Sequence, residues 1–390
     1  MIKFPSTIKL NKDTFMYVFS FLFFAISNIS RMLEQIGIPR TVSYLGYLAF
    51  FAIFFLKTMK QLSLWDYIYY LIVIPIIAWG TYMYSDYIGS DSRIYVMFIV
   101  FLPSYYFFRF CEFKHMIKGL VASSYFSVAY LLVYYLFVVR NSASRYDMNY
   151  AYWIATPMCV IFYNYLRKRR LADLLWTGIS LSTLVVFGSR GALGLSVAAM
   201  VYLYIFTARE GAKDKARIGW ALAFAAVIMI FWNPILNFLS ENIESSRNVD
   251  KLIEGEFLNT TSREDIYTAC KRLIQIQPDG YGPLASRKVI SAHPYPHSLF
   301  YELQLDFGKV IGIGAFVVII AFSLINLWHC RKDNKQIVAA IVCIIGIGSL
   351  LVTSSYYYEM EVPATIAMFV TMCRRKKGEL VPKEISAENT

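Results

Sequence analysis

Two stretches of the chain, Phe15 to Ile29 and Val310 to Leu327, contain no charged residue. They match the ~20 apolar residues a helix needs to cross the hydrocarbon core, where each backbone N–H and C=O must be satisfied within the helix. Similar stretches recur. The sequence predicts spans near 14–29, 41–57, 65–84, 93–108, 117–139, 150–166, 171–188, 191–207, 217–233, 306–328, 336–353 and 359–373. The expected fold class is therefore an all-α integral membrane protein of about twelve helices, with the first apolar run retained as a span and not cleaved as a signal peptide. Tyr and Phe occur 30 times each, more than two interfacial belts need, so some are expected on internal surfaces.

Alternate connections carry Lys57 and Lys60; Arg109, Lys114 and Lys118; Arg167 to Arg170; Arg209 to Arg217; Arg331 to Lys335; and Arg374 to Lys377. With the N-terminal lysines and Lys383, that side holds most of the 38 basic residues, which places both termini in the cytoplasm. The net charge of +12 follows mainly from this asymmetry. Nucleic-acid binding fits poorly, because the basic clusters abut spans and no nucleic-acid module is visible. Cys111, Cys330 and Cys373 fall at cytoplasmic span ends, Cys159 and Cys343 within spans, and Cys270 in an outer loop. One exported cysteine makes no internal disulfide, and no metal-ligand spacing is present.

The expected layout is spans one to nine in residues 1–232, an outer loop over 233–298, spans ten to twelve in 299–373, and a tail over 374–390. The loop is the informative part, since a protein that only crosses a bilayer needs no long polar, basic segment. Val249, Leu252, Ile253 and Phe257 recur at helical spacing, as do Ile266, Cys270, Leu273 and Ile274. Each amphipathic helix could rest on the membrane surface or on the bundle. The second starts at a capping-box-like Ser262 and Asp265 and stops before Gly280-Tyr281-Gly282-Pro283. Arg263 in its first turn would add a guanidinium to an anion-favouring helix terminus; the plainer alternative is pairing with Glu264 or Asp265.

His297 follows His293-Pro294-Tyr295-Pro296 and precedes a helix start. Two prolines hold the approach extended, and the helix N-terminus with Arg287 and Lys288 nearby favours a neutral, proton-accepting ring. The alternative is a structural histidine bound to a loop carbonyl. Gly188-Ser189-Arg190-Gly191 is a third outer site, whose small residues allow a pyrophosphate close to the backbone; snorkelling to lipid phosphate would also explain Arg190. Arg93 is a weaker candidate of the same kind, and Lys309 is either another or an interfacial anchor. Tyr82, Tyr84 and Tyr87 with Tyr356, Tyr357 and Tyr358 could stack on sugar rings or form an interfacial belt.

Ser189-Arg190-Gly191-Ala192-Leu193-Gly194-Leu195 resembles a segment of the O-antigen ligase and polymerase superfamily. Ser262-Arg263 with Ile266-Tyr267, then Pro278-Asp279-Gly280-Tyr281-Gly282, then Pro296-His297-Ser298-Leu299-Phe300-Tyr301-Glu302-Leu303 with Gly308 and Gly312, look like its long periplasmic loop and following span. The likeness covers roughly residues 170–330; Ser298 stands where the family often has Asn. It implies a GT-C-type glycosyltransferase of the bacterial inner membrane that uses an undecaprenyl-pyrophosphate-linked oligosaccharide and no cofactor. On that likeness His297 activates or orients the acceptor hydroxyl. Arg190 and Arg263, with Arg287 and Lys288, hold the pyrophosphate, and Glu302 and Tyr281 are secondary candidates. Arginines without a carboxylate metal motif suit a pyrophosphate leaving group neutralised without a metal.

The expected partners are the carrier-linked glycan and membrane lipids, with a chain-length regulator left open. Polymerase is the expected activity. A ligase that moves the glycan to lipid A–core is the alternative, and a transporter is the alternative of another class. A transporter usually keeps functional charges at mid-membrane, which these spans lack, and has no reason to gather Arg190, Arg263 and His297 at one cavity.

Overall fold

A computed structural model describes residues 11–83, 100–139, 148–187, 189–207, 261–290, 296–331, 334–357 and 359–376. Among them the secondary structure is helical, with no strand. The helices are α1 (Lys12–Gln35), α2 (Arg40–Thr58), α3 (Leu64–Met83), α4 (Leu102–Phe110), α5 (Phe113–Tyr134), α6 (Met148–Lys168), α7 (Leu171–Phe187), α8 (Arg190–Phe206), α9 (Thr261–Ile276), α10 (Ser286–Val289), α11 (Leu299–Phe307), α12 (Lys309–Cys330), α13 (Gln336–Val352) and α14 (Glu361–Lys376). The span expected at 217–233 and the first seven residues of the one expected at 93–108 lie outside the described residues.

Among the described residues, five helices are long and apolar enough to cross a membrane: Lys12–Gln35, Arg40–Gln61, Leu64–Met83, Phe113–Phe137 and Lys309–Cys330. Their surfaces suit lipid. Val310, Ile311, Leu324 and Trp328 on α12, and Leu45, Leu56, Leu71 and Trp79 on α2 and α3, are exposed, while Ser20, Asn28, Ser30, Ser123 and Ser127 on α1 and α5 are buried. Apolar patches of this extent are a liability in water and ordinary in a bilayer.

The surplus of aromatic residues goes inside, as expected. Phe19, Phe23, Tyr47, Phe54 and Phe107 from α1, α2 and α4 are all buried, with Phe23 and Phe107 stacked at 4.0 Å between ring centres. Around this core α1 packs on α2 and α5, α6 on α5, α7 and α8, and α14 on α4 and α12. α13 is interrupted by a π-helical stretch, Ala340–Gly346, that packs on α8.

The span expected at 306–328 starts differently. Gly308 (φ 83°) ends α11, and a second helix begins at Lys309, so the helix after His297 belongs with the loop and not with the span. Gly280 (φ 86°) packs on Gly308 so closely that a Cβ on it would sit 2.3 Å from the Gly308 nitrogen. Lys309 N donates to Pro278 O at 2.7 Å, and Tyr281 N donates to Leu305 O at 2.8 Å. The Pro278–Pro283 turn thus holds the break open. A side chain at either glycine would separate the two backbones, besides straining a left-handed conformation.

α9 is the expected second loop helix, and it rests on protein. Ile266, Cys270 and Ile274 pack with Ile290 and Leu305, with Leu273, Tyr281 and Tyr301 at the edge. Burial pushes the Cys270 thiol up to about 12, marking an inert packing residue. The first loop helix, expected near 249–257, lies outside the described residues.

Candidate functional site

The turn after α13 gathers the expected residues. The last carbonyls of a helix have no partner within it and carry the negative end of its dipole, so they attract N–H donors and cations. Arg263 Nη1 donates to Val352 O, the final carbonyl of α13. His297 Nδ1 bonds to the next one, Thr353 O, at 3.1 Å. Two side chains from separate parts of the loop are therefore held by consecutive carbonyls.

α8 joins them there. Ser189 caps its N-terminus by accepting a hydrogen bond from Ala192 N at 3.2 Å, which puts Arg190 and Gly191 in the first turn. Gly191 lies against Val352: a Cβ there would be 3.3 Å from Val352 Cγ2 and 2.6 Å from Tyr152 Oη. Without a side chain at 191 this helix start reaches the turn. The side chains of Arg263 and His297 and the helix start at Gly191, next to Arg190, meet at Val352 and Thr353.

The two contacts have chemical consequences. A carbonyl only accepts, so His297 Nδ1 carries the proton and the lone pair of the neutral ring is on Nε2. This is the carbonyl bond of a structural histidine, and it also sets the tautomer a general base needs. His297 adopts φ 55°, a left-handed conformation that costs a non-glycine residue roughly 1–2 kcal/mol. Arg263 is bound through a neutral carbonyl and keeps its full positive charge, and among the described residues no carboxylate forms an ion pair with it. The expected alternative of pairing with Glu264 or Asp265 is not what the structure has. The Ser262 side chain lies outside the described residues.

Glu302 and Asp306 brace the turn from α11. Glu302 is buried, accepts from Ser355 Oγ, and accepts from Tyr356 N at 3.2 Å. These bonds tie it to the segment that follows the two carbonyls. Asp306 accepts from Ser286 N at 2.8 Å and from Tyr356 Oη at 2.7 Å. Burial outweighs these bonds and pushes its carboxyl up to about 6.

Other expectations fare differently. Tyr281 Oη donates to Leu273 O at 3.0 Å, joining the loop to α9. Lys288 is exposed on the short α10, and the Arg287 side chain lies outside the described residues, as does Arg93. Lys309 opens α12 with its backbone on Pro278. The reading of Tyr356 and Tyr357 as sugar-stacking surface is corrected: both are buried, one on Asp306 and the other with its hydroxyl 2.8 Å from Thr81 Oγ1. Tyr82 is exposed, while Tyr84, Tyr87 and Tyr358 lie outside the described residues.

The sequence reading missed Val352, Thr353, Ser355 and Asp306. The first two act through backbone oxygens, which any residue supplies. Asp306 did carry a signal, being an acidic residue four positions after Glu302 at the edge of an apolar run. No known family model matches the chain, and no curated protein does.

Proposed function

We propose that this protein is a membrane-embedded glycosyltransferase, an O-antigen or related surface-polysaccharide polymerase. It moves a glycan from undecaprenyl pyrophosphate to the terminal sugar of another carrier-linked repeat unit. In this reading the chain crosses the bacterial inner membrane about twelve times, both termini are cytoplasmic, and the loop over 233–298 faces the periplasm. The observation that carries the proposal is the seating of Arg263 and His297 on the adjacent Val352 and Thr353 carbonyls, with the Arg190 helix start against the same turn.

That geometry supplies the parts of an inverting transfer. Arg263 and Arg190 place cationic charge where a pyrophosphate leaves, the stabilisation most useful as the bond from anomeric carbon to phosphate oxygen breaks. Nε2 of His297 takes the proton of the acceptor hydroxyl as its oxygen attacks the anomeric carbon from the opposite face. The glycosidic bond forms, and undecaprenyl pyrophosphate departs with the bonding electrons. Glu302 acts through the turn and touches neither substrate.

The test is to incubate purified protein with its undecaprenyl-pyrophosphate-linked repeat unit, with and without lipid A–core and without added divalent metal. A ladder of longer carrier-linked glycans in the absence of lipid A–core is the expected result. Product only when lipid A–core is present would replace polymerase by ligase. No product in either arm, with cognate substrate confirmed, would overturn both.

A further inference from the structure

A cavity of about 640 Å³ lies beside the turn, walled by α1, α5, α6 and by Ser354, Ser355 and Glu359 to Glu361. Its size falls within the ~300–1,000 Å³ of small-molecule sites. Its chemistry differs from that of a gap between lipid-facing helices. The Arg31 guanidinium stacks 3.0 Å over the centre of the Trp153 ring. Asn28 Nδ2 donates to Ser127 Oγ at 2.8 Å. Ser123 and Ser124 donate their hydroxyl protons to Leu120 O at 2.9 and 2.7 Å, so toward the cavity they are acceptors. Serines of this kind also cement helix pairs in membranes. Cementing alone would leave no cavity and would not require an arginine stacked on a tryptophan inside it.

The charges of the wall nearly balance. Two arginines and two glutamates line it, Arg31, Arg40, Glu359 and Glu361; Arg40 Nε also bonds to Glu34 outside the wall at 2.7 Å, and Arg31 is within electrostatic reach of Glu359. A balanced wall suits a neutral ligand rich in hydroxyls better than a pyrophosphate, and the guanidinium held on the indole ring offers N–H donors to such hydroxyls. The wall is also tied to the site: Ser354 donates to Glu359 at 2.5 Å, and Ser354 directly follows Thr353, whose carbonyl holds His297.

We propose that this cavity is the acceptor-glycan subsite, in which the terminal sugars of the acceptor lie on Trp153 and Arg31 with the reacting hydroxyl directed toward His297. The inference rests on the transferase reading for its substrate. Arginine and the alternating acceptors and donors of Asn28, Ser124 and Ser127 match hydroxyl groups, each of which donates and accepts.

The probe is the repeat-unit oligosaccharide freed from its lipid carrier, titrated calorimetrically into the purified full chain. Wild type is expected to bind it, and Trp153→Ala and Ser124→Val to bind at least tenfold more weakly, with Trp153→Phe recovering most of the loss. Because Trp153 also packs, each variant's melting temperature is measured, and Ser124→Val stands in if Trp153→Ala does not fold. Absence of binding by wild type, or equal binding by folded Trp153→Ala and Ser124→Val, would overturn the subsite. A wild type that elongates carrier-linked glycan while these variants do so equally would overturn the subsite and leave the transferase. A wild type that binds the oligosaccharide through Trp153 yet transfers nothing would overturn the transferase and leave the cavity a sugar site.

Discussion

Arg109 and Arg263 are the same residue type at two ends of one bundle, and the structure uses them in opposite ways. Arg109, at the lysine-rich end, donates through Nε to Asp66 Oδ1 at 2.9 Å, an oxygen that also accepts from Tyr105 Oη at 2.8 Å. Ser63 binds the other Asp66 oxygen through both its backbone N and its hydroxyl. That charge is buried and neutralised. Arg263 is held by a carbonyl and not neutralised. The ends are well separated. Asp13 and Arg31 of α1 line different cavities and lie eighteen residues apart, about 27 Å along a helix. A guanidinium paired with a carboxylate holds helices together; one paired with a backbone oxygen is positioned and still available to an anion.

A paired substitution would break that comparison most sharply. Arg109→Leu is expected to cost about 3–5 kcal/mol of stability by leaving Asp66 buried and unpaired. It should leave the rate per folded molecule unchanged. Arg263→Ala is expected to do the reverse, with an unchanged melting temperature and transfer slowed by about 100-fold or more. Rates and melting curves on both variants decide it. Equal effects on both readouts would mean the two arginines play one structural role.

Next in size is the brace beneath the turn. Glu302→Ala should slow transfer roughly 10- to 100-fold by letting the two carbonyls move. Glu302→Gln should recover most of the rate, since an amide still accepts from Tyr356 N. If both substitutions slow transfer equally, the carboxylate charge itself matters and the orienting role is wrong. Gly191→Ala has a smaller expected effect, on the order of 5-fold, because its methyl would meet Tyr152 Oη and press on Val352. Pairing it with Tyr152→Phe should restore the rate; no recovery would separate Arg190 from the site.

Smallest is the pH response of Asp306. Its carboxyl titrates near 6 in the fold, above the ordinary 3.8, so stability is full below about 4 and is lost as pH rises through 6. Asp306→Asn removes that loss. It should be more stable than wild type by on the order of 1–3 kcal/mol at pH 8, and the two should agree at pH 4. Melting curves at the two pH values check this; a variant less stable at pH 8 would show that the charged bonds outweigh burial.

Much of this arrangement was legible in the sequence. Charge-free stretches located the five helices of membrane-crossing length among the described residues, the face Ile266, Cys270 and Ile274 was readable by spacing, and His297 does precede a helix start. Arg190 and Arg263 were named from their local patterns, and Glu302 from the family likeness. What was not legible is why they meet. Backbone carbonyls hold Arg263 and His297, and no residue pattern marks an acceptor that every residue has. The break at Gly308 was hidden because an apolar stretch with a glycine reads as one span; only the left-handed φ and the facing Gly280 separate α11 from α12. The serines lining the cavity beside Trp153 read as span residues, since spacing alone does not tell a hydroxyl packed in a helix pair from one facing an opening.

The most direct test of the central claim, that Arg263 and His297 form one site at the turn after α13, is a double-mutant cycle on glycan transfer. Initial rates on carrier-linked repeat unit would be measured for wild type, His297→Ala, Arg263→Ala and the double variant, with a melting curve on each sample. His297→Ala is expected to lose about 1,000-fold or more. The double variant should be hardly slower than that single variant, because residues acting as a unit lose their joint effect once. All melting temperatures should match wild type. Losses that add independently, or a His297→Ala protein that turns over normally, would contradict the claim.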